Sequence, residues 1–379
     1  MAKDVFINRI SKFLPNSPVD NDHMEDFLGL IGGKSSRVKN IVLRQNNIKT
    51  RYYALNTKQE MTHTNAEMTA NAIKNLFDND VKLSDVELIT CGTSVPDQIL
   101  PSHTAMVHGL LKEKPIEIFS PGGVCACGAH ALKIAYMSIK SENSKNAVCT
   151  GSELASSFLL SRNFNAEYEK LTEVDNKPMI AFEKDFLRFM LSDGAGAMLL
   201  EDKKRGDLSL QIDWIETISY ANEEGVCMYM GGEKREDGEL KSWKQFDQTE
   251  WLDFSIFVVK QDIRLLDNKV VDFCTRHMKS CFSKHNTNPA SDVDYFIPHL
   301  SSMVFKDRLK NSMEERGILI PIDKWFTNLE QVGNIGSASI YIALEELFHS
   351  GKLRKNEKIL LMIPESGRFS YALVLLTVV

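Results

Sequence analysis

The chain has 379 residues, of which 43% are hydrophobic and 25% charged, with a formal net charge of -6; that is an ordinary globular balance, long enough for two domains or one duplicated unit. The negative balance excludes a general nucleic-acid binder, which needs a basic face for phosphates. The start Met1-Ala-Lys-Asp-Val-Phe-Ile7 has no basic stretch leading into a long apolar one, and no run of about 18 apolar residues follows, so a cytoplasmic protein without membrane spans is expected.

In chain order, Leu88–Cys91 and Ile116–Phe119 are predicted as short buried strands. The stretch Pro121-Gly-Gly-Val-Cys125-Ala-Cys127-Gly128-Ala-His130 follows, then a helix over Ala129–Ile139 and a strand beginning at Ala147. Residues 203–255 differ in texture, with glycine-rich polar turns beside Met228-Tyr-Met230 and two tryptophans, Trp243 and Trp251. They are expected to form an inserted excursion, either a lid or tunnel lining or a solvated outgrowth. The earlier order then recurs. Asp294–Ile297 is a strand ending at Pro298-His299, Gly336–Leu347 a helix, and Lys358–Ile363 a strand leading into Pro364-Glu365-Ser366-Gly367. Alternating strands and helices predict a layered α/β fold. Superposing 127–132 on 335–340 predicts an internal duplication, with halves at 1–202 and 203–379.

Three polar groups stand at strand-to-helix junctions. Cys125 sits near a helix start, where unsatisfied amides and the macrodipole favour a thiolate. Gly122, Gly123 and Gly128 allow a tight turn that presents amides to an oxyanion. Cys127 competes for the nucleophile's role, and a Cys-x-Cys pair is also half of a metal or redox site, although no second cluster of ligands accompanies it. His299 follows a strand-ending proline, and Asn334 lies in Val332-Gly333-Asn334-Ile335-Gly336. A thiol, an imidazole and a carboxamide that converge can carry an acyl group on sulfur and polarise thioester carbonyls. The seven cysteines are odd in number and scattered, which suits reduced thiols.

Four segments together resemble one family over nearly the whole chain: Thr93-Ser-Val-Pro-Asp97-Gln-Ile-Leu-Pro101-Ser102; Cys125 with Ala131-Leu132 and Gly151-Ser152-Glu153; Ser192-Asp193-Gly194-Ala-Gly196-Ala197; and Pro298-His299 with Gly333-Asn334. The chain resembles the type III β-ketoacyl carrier-protein synthases of the thiolase-like superfamily. The resemblance implies a duplicated αβαβα fold with two similar halves around a shared site. It puts the nucleophile at Cys125, because Leu132 lies seven residues and Gly151 twenty-six residues beyond it, as the family spacing requires. It implies a homodimeric acyltransferase with a Cys125-His299-Asn334 triad, ping-pong transfer, and an oxyanion hole from the backbone amides of Cys125 and Ser366. No cofactor and no metal are implied.

Three departures shape the expected specificity. Ile41 and Gln45 stand where the family often has a tryptophan and an arginine that clasp coenzyme A, which favours thioesters of acyl carrier protein over coenzyme A thioesters. Glu365 replaces a small residue beside the pocket and is a candidate acid or base, or a structural hydrogen-bonding group. The long excursion suggests a reshaped acyl pocket. Lys306, Arg308 and Lys310 on the helix after His299 are expected to form a docking patch for the acidic carrier protein. Within the family the chain resembles the ketosynthases of bacterial dialkylresorcinol (flexirubin-type) and aryl-polyene-linked pigment pathways, which join two β-oxoacyl thioesters and cyclise them toward a dialkylcyclohexanedione or dialkylresorcinol. The alternatives are an ordinary initiating 3-oxoacyl synthase using malonyl-carrier protein, a non-catalytic acyl-binding partner subunit, and a cysteine hydrolase. The last lacks the Cys-Gly-(Ser/Ala)-Cys-(Trp/Tyr) pattern of papain-like enzymes.

Overall fold

Apolar runs such as Ala-Val-Cys-Thr-Gly-Ser and Ile-Leu-Leu-Met-Ile are buried along nearly their whole length, the pattern of strands covered on both faces. The computed structural model describes residues 3–36, 38–173 and 186–379. Among these the main sheet contains β1 (Phe6–Phe13), β2 (Leu88–Thr93), β3 (Glu117–Phe119), β4 (Asn146–Glu153), β5 (Gly194–Glu201), β6 (Leu210–Ser219), β7 (Tyr295–Pro298), β8 (Lys358–Glu365) and β9 (Ser370–Val378). Their order across the sheet is β7-β8-β9-β6-β1-β5-β4-β2-β3.

One pairing pattern occurs twice. β1 pairs antiparallel with β5, β5 antiparallel with β4, β4 parallel with β2, and β2 parallel with β3. On the other side β6 pairs antiparallel with β9, β9 antiparallel with β8, and β8 parallel with β7. A single parallel bridge between Phe296 and Trp325 stands in the position of β3. The two runs join where Phe6 faces Gln211 and Ile7 faces Leu210.

Helices α1 (Lys39–Asn46), α2 (Asn65–Lys74), α3 (His103–Leu111), α4 (Cys127–Lys140), α5 (Ile263–Lys284), α6 (Val304–Glu315) and α7 (Ser339–Phe348) complete the layers. α4 and α7 share one core with residues from both halves of the sheet, including Met198, Ile297, Ile359 and Ala372. α2 and α3 cover the other face of the first half, and α5 and α6 that of the second. The result is the five-layer arrangement of the expected fold class. The central helices approach closely because their first turns are small: a Cβ on Gly128 would lie 2.4 Å from the Ser337 carbonyl oxygen. Tyr341 donates from its hydroxyl to the Gly128 carbonyl at 2.8 Å.

Two boundaries differ from expectation. The excursion expected at 203–255 does not begin at 203, because Leu210–Ser219 is an inner strand paired on both sides. A bulge opposite Leu375/Leu376 skips Asp213 and breaks the period-two alternation that identifies a strand. The excursion proper begins after Tyr220 and carries the short pairings Gly232–Lys234 with Leu240–Ser242 and Met228–Tyr229 with Lys260–Gln261. The segment from Pro364 is also not all turn: β8 continues through Pro364 to Glu365. No helix among the described residues is long and apolar enough to cross a membrane.

Candidate active site

Cys125 lies between β3 and α4, one residue ahead of the N-cap Ala126. The loop is fixed from across the molecule. Glu365, the last residue of β8, accepts with Oε2 from the amides of Val124 at 2.8 Å and Ala126 at 3.0 Å. Gly123, with φ +143°, leaves room for that carboxylate, since a Cβ there would lie 3.2 Å from Oε2. Gly367 presses on the same loop, and a Cβ there would meet Val124 Cγ2 at 2.9 Å. Ser366, between two residues that touch the cysteine loop, is therefore held beside Cys125. Among the described residues the Ser366 amide has no hydrogen-bond partner, and the Cys125 amide has none outside its own residue. Two unspent donors on adjoining backbone are the raw material of an oxyanion hole.

Cys125 retains 8% exposure and Cys127 none, and the Cys127 thiol donates back to the Val124 carbonyl. The second cysteine is thus turned into the helix start. The charge state expected of Cys125 is reversed: burial, with the carboxylates of Glu365 and Glu153, pushes its thiol well above the ordinary range. The amides flanking it serve Glu365, and desolvation outweighs the macrodipole.

His299 follows β7 directly. Its amide donates to the Met362 carbonyl at 2.8 Å, which sets it beside β8 two strand positions before the end that holds Cys125. It is 4% exposed, and burial pulls its imidazole down to about 4, so it is neutral at pH 7. Its ring lines two clefts. One, small and largely apolar, is bounded by Val270, Cys274, Ser301, Phe305 and Pro364; the other, also small, reaches Asn328, Gly333 and Ser339. No ring nitrogen of His299 has a hydrogen-bond partner among the described residues.

Asn334 precedes α7 as Cys125 precedes α4. Its amide donates to Met190 and its carbonyl accepts from Ser192, while Oδ1 accepts from the Gly336 amide at 2.9 Å. Nδ2 is left as a donor without a described partner. The loop is tied to the first half through Glu153, the last residue of β4, whose Oε1 accepts from the Ser337 amide at 3.1 Å and whose Oε2 accepts from Ser94 Oγ at 2.6 Å. Burial raises Glu153 to about 7, against the hydrogen bonds from Ser94 and Ser337.

The remaining expected residues fall around this centre. Lys306 and Lys310 lie on α6 without an ion pair to any described residue, whereas Arg308 pairs with Asp267 of α5, so part of the expected basic patch is already neutralised. Ile41 and Gln45 are exposed on α1, whose last residue, Asn46, accepts through its carbonyl from the Met303 amide at 3.3 Å ahead of α6. Sequence reasoning gave no role to Glu153 or to the latch of the excursion. The amides of Cys227 and Met228 donate to the Gly367 carbonyl, and Gln261 Nε2 donates to Ser366 Oγ at 3.0 Å. The available signal for Glu153 was that both eight-residue apolar strands before a turn, β4 and β8, end in glutamate.

Comparison with known proteins gives two consistent family matches, one in the middle and one near the end of the chain. Residues 283–376 match the C-terminal family of 3-oxoacyl-[acyl-carrier-protein] synthase III, and residues 118–206 match the β-ketoacyl synthase N-terminal domain. The β-ketoacyl-[acyl-carrier-protein] synthase III of Clostridium beijerinckii is 25% identical over 376 residues, covering 98% of this chain and 99% of that protein. That of Clostridioides difficile is 23% identical over 360 residues, covering 93% and 92%. Among solved structures, a tetronic acid condensing enzyme superposes with a TM-score of 0.77 at 17% identity, covering 98% of this chain and 99% of that one. OleA of Xanthomonas campestris, crystallised with lauric acid and lauroyl-CoA, superposes at 0.73 with 18% identity and complete coverage of both chains. The thiolase-like fold, the full-length coverage and the two family matches agree: the chain is similar over nearly its whole length to 3-oxoacyl-[acyl-carrier-protein] synthase III.

Proposed function

We propose that this enzyme condenses two β-oxoacyl thioesters through an acyl group carried on Cys125, toward a dialkylcyclohexanedione or dialkylresorcinol skeleton. The observation that supports the chemistry is a set of donors without described partners at three loop junctions: the Cys125 amide with the Ser366 amide across from its loop, the His299 ring after β7, and Asn334 Nδ2 ahead of α7. In the first half-reaction Cys125 sulfur bonds to the thioester carbonyl carbon, the carbon–sulfur bond to the carrier breaks, and the thiol proton leaves on the carrier thiol. The two amides hold the oxyanion. In the second, the neutral His299 imidazole and Asn334 Nδ2 donate to the carbonyl oxygen of the incoming thioester as its α-carbon loses a proton between two carbonyl groups. The resulting enolate bonds to the acyl carbon, the bond from that carbon to Cys125 sulfur breaks, and the proton lost from the α-carbon ends on the sulfur, restoring the thiol. Donors aimed at a developing oxyanion contribute roughly 10²–10³ in rate each.

A small, largely apolar cleft between α5 and α6 ends at His299, and the surface beside it on α6 carries Lys306 and Lys310, where an acidic carrier protein would dock. The open Ile41 and Gln45 positions on neighbouring α1 support a carrier-protein donor, since neither stacks on nor pairs with a nucleotide. The bound lauroyl-CoA of OleA makes coenzyme A thioesters the alternative donor to assay.

Intact mass after incubation with acyl-carrier thioesters tests the reading: an adduct on wild type and none on Cys125→Ala is expected. His299→Ala should still acylate but condense at least a hundredfold more slowly. Carbon dioxide release with malonyl-carrier protein, together with no product from two β-oxoacyl thioesters, would reassign the enzyme to ordinary chain initiation. An adduct that survives in Cys125→Ala and vanishes in Cys127→Ala would move the nucleophile.

A further inference from the structure

The duplicated strand pattern places Glu153 and Glu365 at equivalent points, each the last residue of an eight-residue strand that pairs antiparallel with the strand following it in sequence across the sheet. Each reaches across to the other half. Glu153 of the first half accepts from Ser337 at the start of the segment leading into α7, and Glu365 of the second half accepts from Val124 and Ala126 at the start of α4. Each is met by a glycine of positive φ in the loop it holds. A Cβ on Gly336, at φ +47°, would lie 3.0 Å from Glu153, and one on Gly123, at φ +143°, would lie 3.2 Å from Glu365. The copies have diverged at one point. Ser94 follows β2 as His299 follows β7, and Glu153 engages Ser94 whereas Glu365 leaves His299 unbound. The first copy is a latch, and the second leaves its ring free.

We propose that Glu365 is the positioning residue of the nucleophile: by accepting from the amides on both sides of Cys125, its carboxylate turns the intervening amide toward the thioester oxygen. This rests on the assignment of Cys125 as the acylated residue. Val124 and Ala126 donate to one oxygen, so the two peptide planes bracketing Cys125 are fixed relative to each other and to the Ser366 amide one residue along from Glu365. This role uses Oε2 alone, which accepts from both amides, and requires no proton to move. The arrangement also explains a buried acid beside a nucleophile, where its charge opposes thiolate formation: acceptance of the two amides by a carboxylate is stronger than by a neutral group.

The test follows Cys125 acylation by octanoyl N-acetylcysteamine thioester, as a mass time course at varied thioester concentration. Glu365→Ala is expected to lower the maximal acylation rate about a hundredfold with KM changed less than about threefold, the signature of a lost oxyanion donor. Glu365→Gln, which keeps an acceptor oxygen, should recover to within about tenfold of wild type. A cooperatively melting Glu365→Ala enzyme acylating within threefold of wild type would overturn the proposal, as would a Gln variant no faster than the Ala variant, which would assign the carboxylate to proton transfer. Acylation that persists in Cys125→Ala would overturn the active-site assignment instead, whatever the Glu365 variants do.

Discussion

A buried acid whose proton is held more tightly in the folded state makes stability depend on pH in a fixed direction. Glu153 rises from 4.5 to about 7, so between those values the folded chain binds more protons than the unfolded one. Its contribution is fully present below pH 4.5 and is lost as pH rises through 7, by roughly 3 kcal/mol at about 1.4 kcal/mol per unit. His299, lowered from 6.5 to about 4, acts oppositely: the unfolded chain binds its proton first, so stability falls as pH drops through that window. Denaturant titration at pH 5 and pH 8 should therefore show that Glu153→Gln gains stability over wild type at pH 8 and loses that advantage near pH 5. An equal difference at both values would show that Glu153 does not titrate in this range. The same carboxylates reverse the local expectation for Cys125. A sequence window of a few residues shows a helix start and predicts a thiolate; the groups that decide the matter arrive from β4 and β8, 28 and 240 residues along the chain.

At the scale of elements, the meeting of α4 and α7 is set by missing side chains. Gly128→Ala places a methyl against the Ser337 backbone, where no side chain can swing aside, and should cost about 1–3 kcal/mol. Gly109→Ala, on α3 with open space around its Cα, should stabilise by about 0.5–1 kcal/mol. Melting curves of the two variants shifting in the same direction would refute this packing account. On α6, Lys306→Glu with Lys310→Glu should raise KM for carrier-bound thioesters at least tenfold while leaving N-acetylcysteamine thioesters unaffected, and unchanged carrier-dependent turnover would remove the docking role. The elements that carry the site were legible as patterns: β2, β4, β7 and β8 as apolar runs, α4 and α7 as helices behind small-residue turns. β6 was not, because its bulge at Asp213 and the charge at Glu216 disguise an inner strand as surface chain. Local periodicity reports faces, and a bulge resets it.

At the scale of the whole molecule, the sheet ends at β3, which among the described residues pairs only with β2. Phe119 on that edge is 43% exposed, and Ile99 and Leu100 on the turn after β2 are 74% and 82% exposed. We propose that this open edge strand and the exposed apolar side chains take up a second copy of this chain. Sedimentation should give twice the chain mass, and Leu100→Arg with Phe119→Arg should give the single-chain mass; an undissociated variant would place the contact elsewhere. The duplicated architecture was visible in the recurrence of turn chemistry at residues 127–132 and 335–340. The crossing of its glutamates was not, because neither partner lies near the other in sequence.

The hydrogen bond from Val124 to Glu365 spans 241 positions. During synthesis the sulfur therefore leaves the ribosome long before the carboxylate that shapes its surroundings. An unfinished chain carries that thiol without Glu365 beside its loop, and the two amide hydrogen bonds form only after the last two strands have closed the sheet.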